Sequence, residues 1–231
     1  MNIAIIFAGG VGQRMNNHTR PKQFLELHSK PILVYTIEQF QKHGEIDAIV
    51  VVCVKEWIDY CQQLVSKCAL TKVSAIIPGG ETGQQSIFNG LVKAEELFGN
   101  NSALVLIHDG VRPLIDADTI TKNIICVKEH GSAITVSPAI ETITVKAKNG
   151  LVGDILDRKQ CQMAKAPQCF WLKDILKAHH QAQKDNLPDF IDSASIMRHY
   201  GYPLYTVEGP HINIKITTPT DYYIFKALVD A

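Results

Sequence analysis

The chain begins with a short apolar run that ends abruptly at small residues. Residues 2–7 read Asn-Ile-Ala-Ile-Ile-Phe, and Ala8, Gly9 and Gly10 follow with almost no side-chain bulk. Isoleucine-rich runs of this length, bounded by glycine, are typical of buried strands in parallel sheets. The pattern therefore predicts a first strand followed by a loop of small residues.

Strand-like and helix-like patterns alternate after this loop. Apolar, often β-branched runs predict buried strands at 47–54, 73–77, 103–107 and 133–136. Apolar residues at helical spacing predict helices at 32–43, 57–70, 86–98 and 119–130. Such alternation predicts an α/β fold, a three-layer sandwich with a mostly parallel, Rossmann-like sheet. Ligands of these folds bind beyond the carboxyl ends of the strands, where the 8–12 loop and Asp109 fall.

The pattern changes after residue 140. Residues 141–146 alternate polar and apolar side chains, Asn149-Gly150 is a hairpin turn signal, and 151–155 is again extended. We therefore predict a projecting β-arm over residues 140–163 within a single domain of residues 1–231. Beyond the arm, helices are predicted at 171–183 and 220–229, and a strand at 204–207.

Composition and charge restrict the class of protein. The 231 residues contain 23 Lys and Arg against 23 Asp and Glu, so no overall field favours nucleic acid or a membrane surface. No apolar run approaches the ~18 residues of a membrane span, and no signal-peptide layout precedes the first strand. The six cysteines have neither Cys-x-x-Cys nor zinc spacing. We expect a cytoplasmic protein that binds small molecules.

The first loop has the composition of an anion-binding site. Gly9, Gly10 and Gly12 allow backbone N–H groups to approach a phosphate closely. Arg14 and Lys22 follow as two cations able to meet the same phosphates. The combination of strand, glycine loop and cations predicts a nucleotide triphosphate site.

Three other interpretations compete with a triphosphate site at this loop. A P-loop requires Gly-Lys-Ser or Gly-Lys-Thr, and Gln13-Arg14 after Gly12 excludes it. A dinucleotide fingerprint requires a third glycine where Met15 stands. A tight strand-to-helix turn without ligand also fits the glycines, but the paired cations count against it.

Two further segments carry candidate chemistry. Gly79 and Gly80 lie in a second glycine-rich turn before Ser86, which could hold a small base or only cap a helix. Asp109 follows an apolar strand and is well placed to bind Mg²⁺, a cation that prefers oxygen ligands. Arg112 would grip a phosphate through its guanidinium, although a surface Asp–Arg pair is the alternative.

These segments together resemble one family. AGGVGQRM, PKQFLEL, PGGETGQQSIFNGL, HDGVRPLI, ETITV, LDR, APQCF and NIKITTPTD are similar, in this order, to the signature of the CDP-alcohol-forming cytidylyltransferases. Two branches are similar, ribitol-5-phosphate cytidylyltransferase of cell-wall or capsule synthesis and 2-C-methyl-D-erythritol 4-phosphate cytidylyltransferase of isoprenoid synthesis. The resemblance implies the nucleotide-diphospho-sugar transferase type of fold and a homodimer in which the arm completes the neighbour's active site.

The resemblance also implies roles for single residues. Arg14, Lys22 and Lys215 would be catalytic by neutralising phosphate charge. CTP would be bound by Ala8, Gly9, Gly10, Gly12, Arg14, Lys22, Gly79, Gly80 and Ser86, with Mg²⁺ at Asp109. The alcohol phosphate would be bound by Asp109, Arg112, Thr142, Arg158 and Lys215.

The chain departs from the family at two points. Gly83-Gln84-Gln85 stands where an arginine is common, and Ala166 replaces a threonine near the substrate phosphate. Ala8-Gly9-Gly10 and Val111 look more like the ribitol branch. We therefore expect D-ribitol 5-phosphate or a similar alditol phosphate as acceptor. Methylerythritol phosphate, and an inactive nucleotide-binding regulatory domain, are the alternatives.

Overall fold

The computed structural model describes residues 1–9 and 20–231. The predictions for Gly10, Gly12 and Arg14 lie outside the described residues. No helix within these ranges is long and apolar enough to cross a lipid bilayer. In chain order the strands and helices are β1 (Asn2–Ala8), β2 (Glu26–Leu27), β3 (Lys30–Pro31), α1 (Ile32–Lys42), β4 (Ala48–Cys53), α2 (Ile58–Lys67), β5 (Val73–Pro78), α3 (Gly83–Phe98), β6 (Leu104–Asp109), α4 (Ala117–His130), β7 (Ser132–Pro138), β8 (Ile143–Lys146), β9 (Val152–Leu156), β10 (Gln162–Trp171), α5 (Leu172–Lys184), α6 (Ser193–His199), β11 (Thr206–Glu208) and α7 (Pro219–Asp230).

A seven-stranded sheet forms the middle layer, in the order β5-β4-β1-β6-β10-β7-β11. All neighbours pair in parallel except β10, which is antiparallel to both β6 and β7. The prediction of a mostly parallel sheet is confirmed. Because β1 pairs with β4 and β6, Ala8 lies opposite Cys53, and Phe7 lies opposite Asp109. The carboxyl ends of these strands therefore meet at one edge.

The apolar run of β1 is explained by burial on both faces. Ala4 and Ile6 contribute to a core that also contains residues of α1, α2 and α4. Ile3 and Ile5 contribute to a second core with residues of α3, α5 and α6. All four β1 side chains are fully buried. Helices therefore cover both faces of the sheet, which gives the predicted three layers.

The strand β10 and the helix α6 were not predicted. β10 contains Pro167 and the polar residues Lys165 and Gln168, so its sequence lacks the continuous apolar run of a buried strand. Pairing with β6 and β7 nevertheless buries residues 165–170. A strand that lies between two earlier strands is determined by contacts distant in sequence, which local periodicity does not register.

The predicted hairpin is present. β8 and β9 form a separate two-stranded antiparallel sheet. Asn149 and Gly150 have φ values of 62° and 77°, the left-handed conformation that an Asn-Gly hairpin turn requires. Every residue of β9 is exposed, so the hairpin stands away from both cores.

The contact between α3 and the sheet generates a prediction about Gly90. A Cβ atom at Gly90 would lie 2.6 Å from Ile5 Cγ2 and 2.9 Å from Val52 Cγ2, whereas one at Gly83 of the same helix would meet nothing within 4 Å. We expect Gly90→Ala to lower the free energy of unfolding by about 1–3 kcal/mol through overpacking, although alanine favours helix. Gly83→Ala should cause no loss. Urea unfolding of both variants measures the difference, and equal stability of the two would contradict this packing.

Candidate active site

Two glycine-containing turns, one at Gly9 after β1 and one at Gly79 after β5, meet beside the Ser86 hydroxyl at the carboxyl ends of the strands. We call these turns the glycine bends, and this side of the sheet its carboxyl edge. A Cβ atom at Gly79 would lie 2.9 Å from Ser86 Oγ and 3.4 Å from Gly9 Cα, and one at Gly9 would lie 3.0 Å from Ser86 Oγ. The Gly79 N–H donates to the Cys53 carbonyl at 2.8 Å, which fixes the second bend to the end of β4. A residue larger than glycine at either position would require the neighbouring atoms to move. The structure thus brings three predicted nucleotide-binding residues together.

The Ser86 hydroxyl is part of a turn network. Its Oγ accepts a hydrogen bond from the Gly80 N–H at 3.1 Å and donates to the Thr82 carbonyl at 2.9 Å. The alternative that Ser86 caps the helix is wrong, because Thr82 is the N-cap and its side chain accepts from the Gln85 N–H. Ser86 is therefore held in the first turn of α3 with its hydroxyl against both glycine bends. Its contact with a base stays a prediction.

A buried glutamine ties the segment containing Lys22 to the end of β1. Gln23 is 1% exposed, and its Nε2 donates to the Ala8 carbonyl at 2.6 Å. The next residue, Phe24, is fully buried and stacks on Trp57 with a centroid distance of 4.9 Å. These contacts fix the turn that begins at Lys22 beside the start of the glycine loop. Sequence reasoning assigned no role to Gln23.

The centre of the site is the Asp109 carboxylate at the end of β6. Its Oδ1 pairs with Lys215 Nζ, and its Oδ2 accepts from Arg112 Nε at 2.8 Å. Arg112 Nη1 also donates to the Asn213 carbonyl at 2.8 Å. The Asp109 and Arg112 side chains are only 8% and 12% exposed, so the alternative of a surface pair is wrong. Two segments far apart in sequence, residues 109–112 and 213–215, therefore converge here.

The electrostatics of this cluster follow from burial and from the two cations. Burial on its own would raise the pKa of Asp109, but Lys215 and Arg112 outweigh it and hold the pKa below its ordinary value. Asp109 is thus an anion at neutral pH. Lys215 is the more accessible cation, with a side chain 41% exposed, and its ammonium lies 5.9 Å from the Phe7 ring centroid. Lys215 is consequently available to a ligand.

His108 is a packing residue beside the cluster. It is fully buried with its ring edge-on to Phe40 at 5.0 Å, and burial lowers its pKa to about 4. The neutral ring donates through Nε2 to the Arg112 carbonyl at 3.0 Å, since a carbonyl can only accept. His108 thereby supports the backbone of Arg112.

A cavity of about 360 Å³ opens beside this cluster. Asp109, Arg112 and Lys215 line it, as does the apolar side chain of Phe7. Its other walls come from residues that sequence analysis gave no role, and these include Gln84, Lys165, Gln168, Asp189, Phe190, Asp192 and Ser193. Lys165, like Lys215, stands between apolar residues in the sequence, but no local pattern indicated that its segment is a strand of the central sheet.

Hydrogen bonds connect the elements that form the cavity wall around Gln168. Gln168 Nε2 donates to Asp192 Oδ2 at 2.8 Å, and its Oε1 accepts from the Ala194 N–H at 2.8 Å. Asp192 also caps α6 by accepting from the Ser195 N–H at 2.8 Å. The amide of Gln168 therefore joins β10 to the start of α6 across the cavity wall.

Thr142 and Arg158 lie apart from this cavity. Both are exposed, and neither lines it. Arg158 Nη1 donates to the Ile140 carbonyl at 3.0 Å, at the base of the hairpin. Within one chain the structure therefore does not bring these two predicted acceptor-binding residues to Asp109.

Comparison with known proteins agrees with this geometry. Residues 2–231 match the protein-family model described as IspD, 2-C-methyl-D-erythritol 4-phosphate cytidylyltransferase. The chain is 56% identical over 230 residues to a ribitol-5-phosphate cytidylyltransferase of Vibrio parahaemolyticus, covering 100% of this chain and 96% of that protein. It is 36% identical over 229 residues to a 2-C-methyl-D-erythritol 4-phosphate cytidylyltransferase of Clostridium botulinum, covering 99% and 97%.

A solved structure extends the likeness to three dimensions. The 4-diphosphocytidyl-2C-methyl-D-erythritol synthase of Anaerococcus prevotii superposes with a TM-score of 0.85 at 25% identity, covering 100% of this chain and 96% of that one. The predicted fold and the predicted family are both confirmed. The chain is a member of the cytidylyltransferase family named after 2-C-methyl-D-erythritol 4-phosphate cytidylyltransferase.

Proposed function

We propose that this cytidylyltransferase uses CTP and D-ribitol 5-phosphate, and releases CDP-ribitol and pyrophosphate. The observation that carries the chemistry is the buried Asp109 carboxylate, paired with Arg112 and Lys215 beside a cavity at the carboxyl edge of the sheet. The acceptor is supported by the relative named for ribitol 5-phosphate, which is 56% identical against 36% for the one named for methylerythritol phosphate.

The reaction is an in-line displacement at the α-phosphorus of CTP. A phosphate oxygen of the acceptor forms the new P–O bond, and the bond to the β-phosphate oxygen breaks and leaves pyrophosphate. A phosphate monoester has a second pKa of about 6, so it is ionised near neutral pH and needs no strong base. Catalysis then depends on positioning and on neutralising charge as the transition state forms.

The described residues can meet both requirements. The bends at Gly9 and Gly79, with Ser86 between them, would hold the nucleotide, and Lys22 lies at the base of the same loop. Lys215 would neutralise phosphate charge, because its side chain is partly exposed while Asp109 holds its ammonium at the cavity. Arg112, fixed by Asp109 and the Asn213 carbonyl, would orient the acceptor phosphate.

Mg²⁺ is the proposed cofactor. Within the described ranges no group of three His, Cys, Asp or Glu side chains could hold a metal by itself. Asp109 is a single hard oxygen donor, which fits the usual binding of Mg²⁺ by one or two carboxylates together with substrate phosphates. When bound there, the ion would neutralise negative charge on the phosphates.

We propose further that the enzyme is a homodimer formed through the 140–163 arm. Three apolar side chains of the hairpin face solvent, since Leu151, Val152 and Ile155 are 68%, 64% and 68% exposed. Exposed apolar patches often mark interfaces, and an isolated two-stranded hairpin is only marginally stable in water. Contact with a second copy would cover them. It would also carry Thr142 and Arg158 to the second copy's cavity, which neither residue reaches in its own chain.

The cysteines support a cytoplasmic location. All six are free thiols, and Cys53, Cys61 and Cys169 are buried. Disulfides form and persist in oxidising compartments, and free thiols are typical of proteins in reducing ones.

The acceptor is tested by pyrophosphate release from CTP with Mg²⁺ and a panel of alcohol phosphates. We expect ribitol 5-phosphate to give the highest kcat/KM, ahead of glucitol 6-phosphate, glycerol 3-phosphate and methylerythritol 4-phosphate. A preference for methylerythritol 4-phosphate would place the enzyme in the other branch. Silence with every acceptor, while CTP still binds, would contradict the proposed reaction and favour a regulatory nucleotide-binding domain.

The arm is tested by mixing two inactive variants, Arg158→Ala and Lys215→Met. If the arm acts in the neighbour's cavity, each heterodimer regains one intact site, and random exchange restores about a quarter of the parent activity. The measurement is pyrophosphate release after the subunits have been mixed and allowed to exchange. Lys226→Met, an exposed lysine of α7, is the control that should be active alone.

Two results would contradict the exchanged arm. Either an unchanged kcat/KM of Arg158→Ala alone, or mixtures that never exceed the sum of the single variants, would do so. Sedimentation velocity on the same samples shows whether dimers formed.

A further inference from the structure

Lys165 is a buried cation that the proposed function has not yet used. It lies on β10 in the wall of the cavity that contains Asp109, and it is only 9% exposed. Its Nζ donates to the His211 carbonyl at 2.9 Å and to the Pro210 carbonyl at 3.4 Å. An ammonium carries three donors, so these two contacts do not use its full capacity.

Among the residues that the structure describes, no carboxylate lies within ion-pair distance of this ammonium. Residues 10–19, outside the described ranges, contain no Asp or Glu. Burial lowers the pKa of Lys165, and the nearby Arg112 lowers it further. A buried charge without a compensating anion is costly, so a phosphate that paired with this ammonium would be favoured.

The cavity is lined by three cations and three carboxylates, but only one of these carboxylates forms ion pairs with the lining cations. Arg112 and Lys215 share the single carboxylate of Asp109, and Lys165 adds a further positive charge. The other two carboxylates are Asp192, which accepts hydrogen bonds from Gln168 and Ser195, and Asp189, which is exposed to solvent. Among the cations that line the cavity, Lys165 is therefore the one without a carboxylate partner within the described residues, and an entering phosphate could supply that partner.

The position of β10 indicates which phosphate this would be. The glycine bends lie at the ends of β1 and β5, whereas β10 lies on the opposite side of β6 in the strand order. Asp109, at the end of β6, lies between the strands that carry the glycine bends and strand β10. Lys165 thus lies on the side of Asp109 opposite the glycine bends. The neighbouring Ala166 lines the same cavity with a methyl group, which donates no hydrogen bond.

We propose that Lys165 binds the phosphate of the alcohol phosphate acceptor and so determines its affinity. The proposal rests on the proposed reaction, since it names a further residue for the second substrate. A phosphate monoester carries about −1.5 to −2 charge at pH 7, which matches an unpaired ammonium beside Arg112. The Pro210 and His211 carbonyls hold the ammonium in place until the phosphate arrives.

Three substitutions and one control test this role. Lys165→Met and Lys165→Gln remove the charge, Lys165→Arg keeps it, and Lys173→Met changes an exposed lysine of α5. We expect loss of the charge to raise KM for ribitol 5-phosphate about 10- to 100-fold, the usual range for a charged hydrogen bond. KM for CTP should stay within about twofold. Lys165→Arg should recover most of the loss, and Lys173→Met should match the parent.

Inorganic phosphate gives a second readout. As a competitive inhibitor against the acceptor, it should lose affinity in Lys165→Met and Lys165→Gln by a factor similar to the change in KM. A residue that only fastened the 210–211 backbone would not change phosphate affinity while sparing CTP. Lys165→Gln serves alone if the methionine variant does not fold.

The outcomes separate this inference from the proposed reaction. If the parent enzyme releases no pyrophosphate with any acceptor, both the proposed reaction and the role of Lys165 are overturned. A parent enzyme that is active, with unchanged acceptor KM and phosphate inhibition in Lys165→Gln, overturns only the role of Lys165. Equal rises of KM for CTP and for the acceptor, without rescue by arginine, would also overturn it, because they indicate a structural role.

Discussion

The Asp109 carboxylate is the interaction on which the active site depends. It is buried at the end of a central strand, and a buried charge without partners costs several kcal/mol. Arg112 and Lys215 supply those partners, and Arg112 also binds the Asn213 carbonyl. One negative charge therefore fixes two cations and the backbone before α7 at the same edge of the sheet. The overall charge of the chain is zero, so phosphate binding has to come from local placement of this kind.

The second constraint is space at the glycine bends. Gly9 and Gly79 approach so closely that a Cβ atom on Gly79 would lie 3.4 Å from the other residue's Cα. The Ser86 hydroxyl fills the remaining gap, and Gln23 anchors the following turn through the Ala8 carbonyl. Strand β6 lies next to β1, so these bends and Asp109 are neighbours at the edge. A phosphate chain could consequently extend from the small-residue bends toward the cations.

Much of this arrangement could be predicted from local sequence. β1 is apolar because both of its faces are buried, and Asn149-Gly150 has the backbone conformation that its turn signal indicates. Asp109 could be found because a carboxylate directly after an apolar strand is unusual. Lys165 could not be found in this way, because β10 is interrupted by Pro167 and is placed by pairing with two distant strands. Thr142 and Arg158 were assigned by resemblance, and a single chain leaves them outside the cavity.

The most direct test of the account is a double-mutant cycle between Asp109 and Lys215, measured as kcat/KM for cytidylyl transfer. Asp109→Asn and Lys215→Met should each lower kcat/KM by about 10²–10³, the usual effect of losing one charge-stabilising group. If the carboxylate acts by holding the lysine in place, the double variant should be little worse than the poorer single variant. Losses that multiply in the double variant would show that the carboxylate acts independently of the lysine, for example only through Mg²⁺, and would contradict the claim that it holds Lys215 in place.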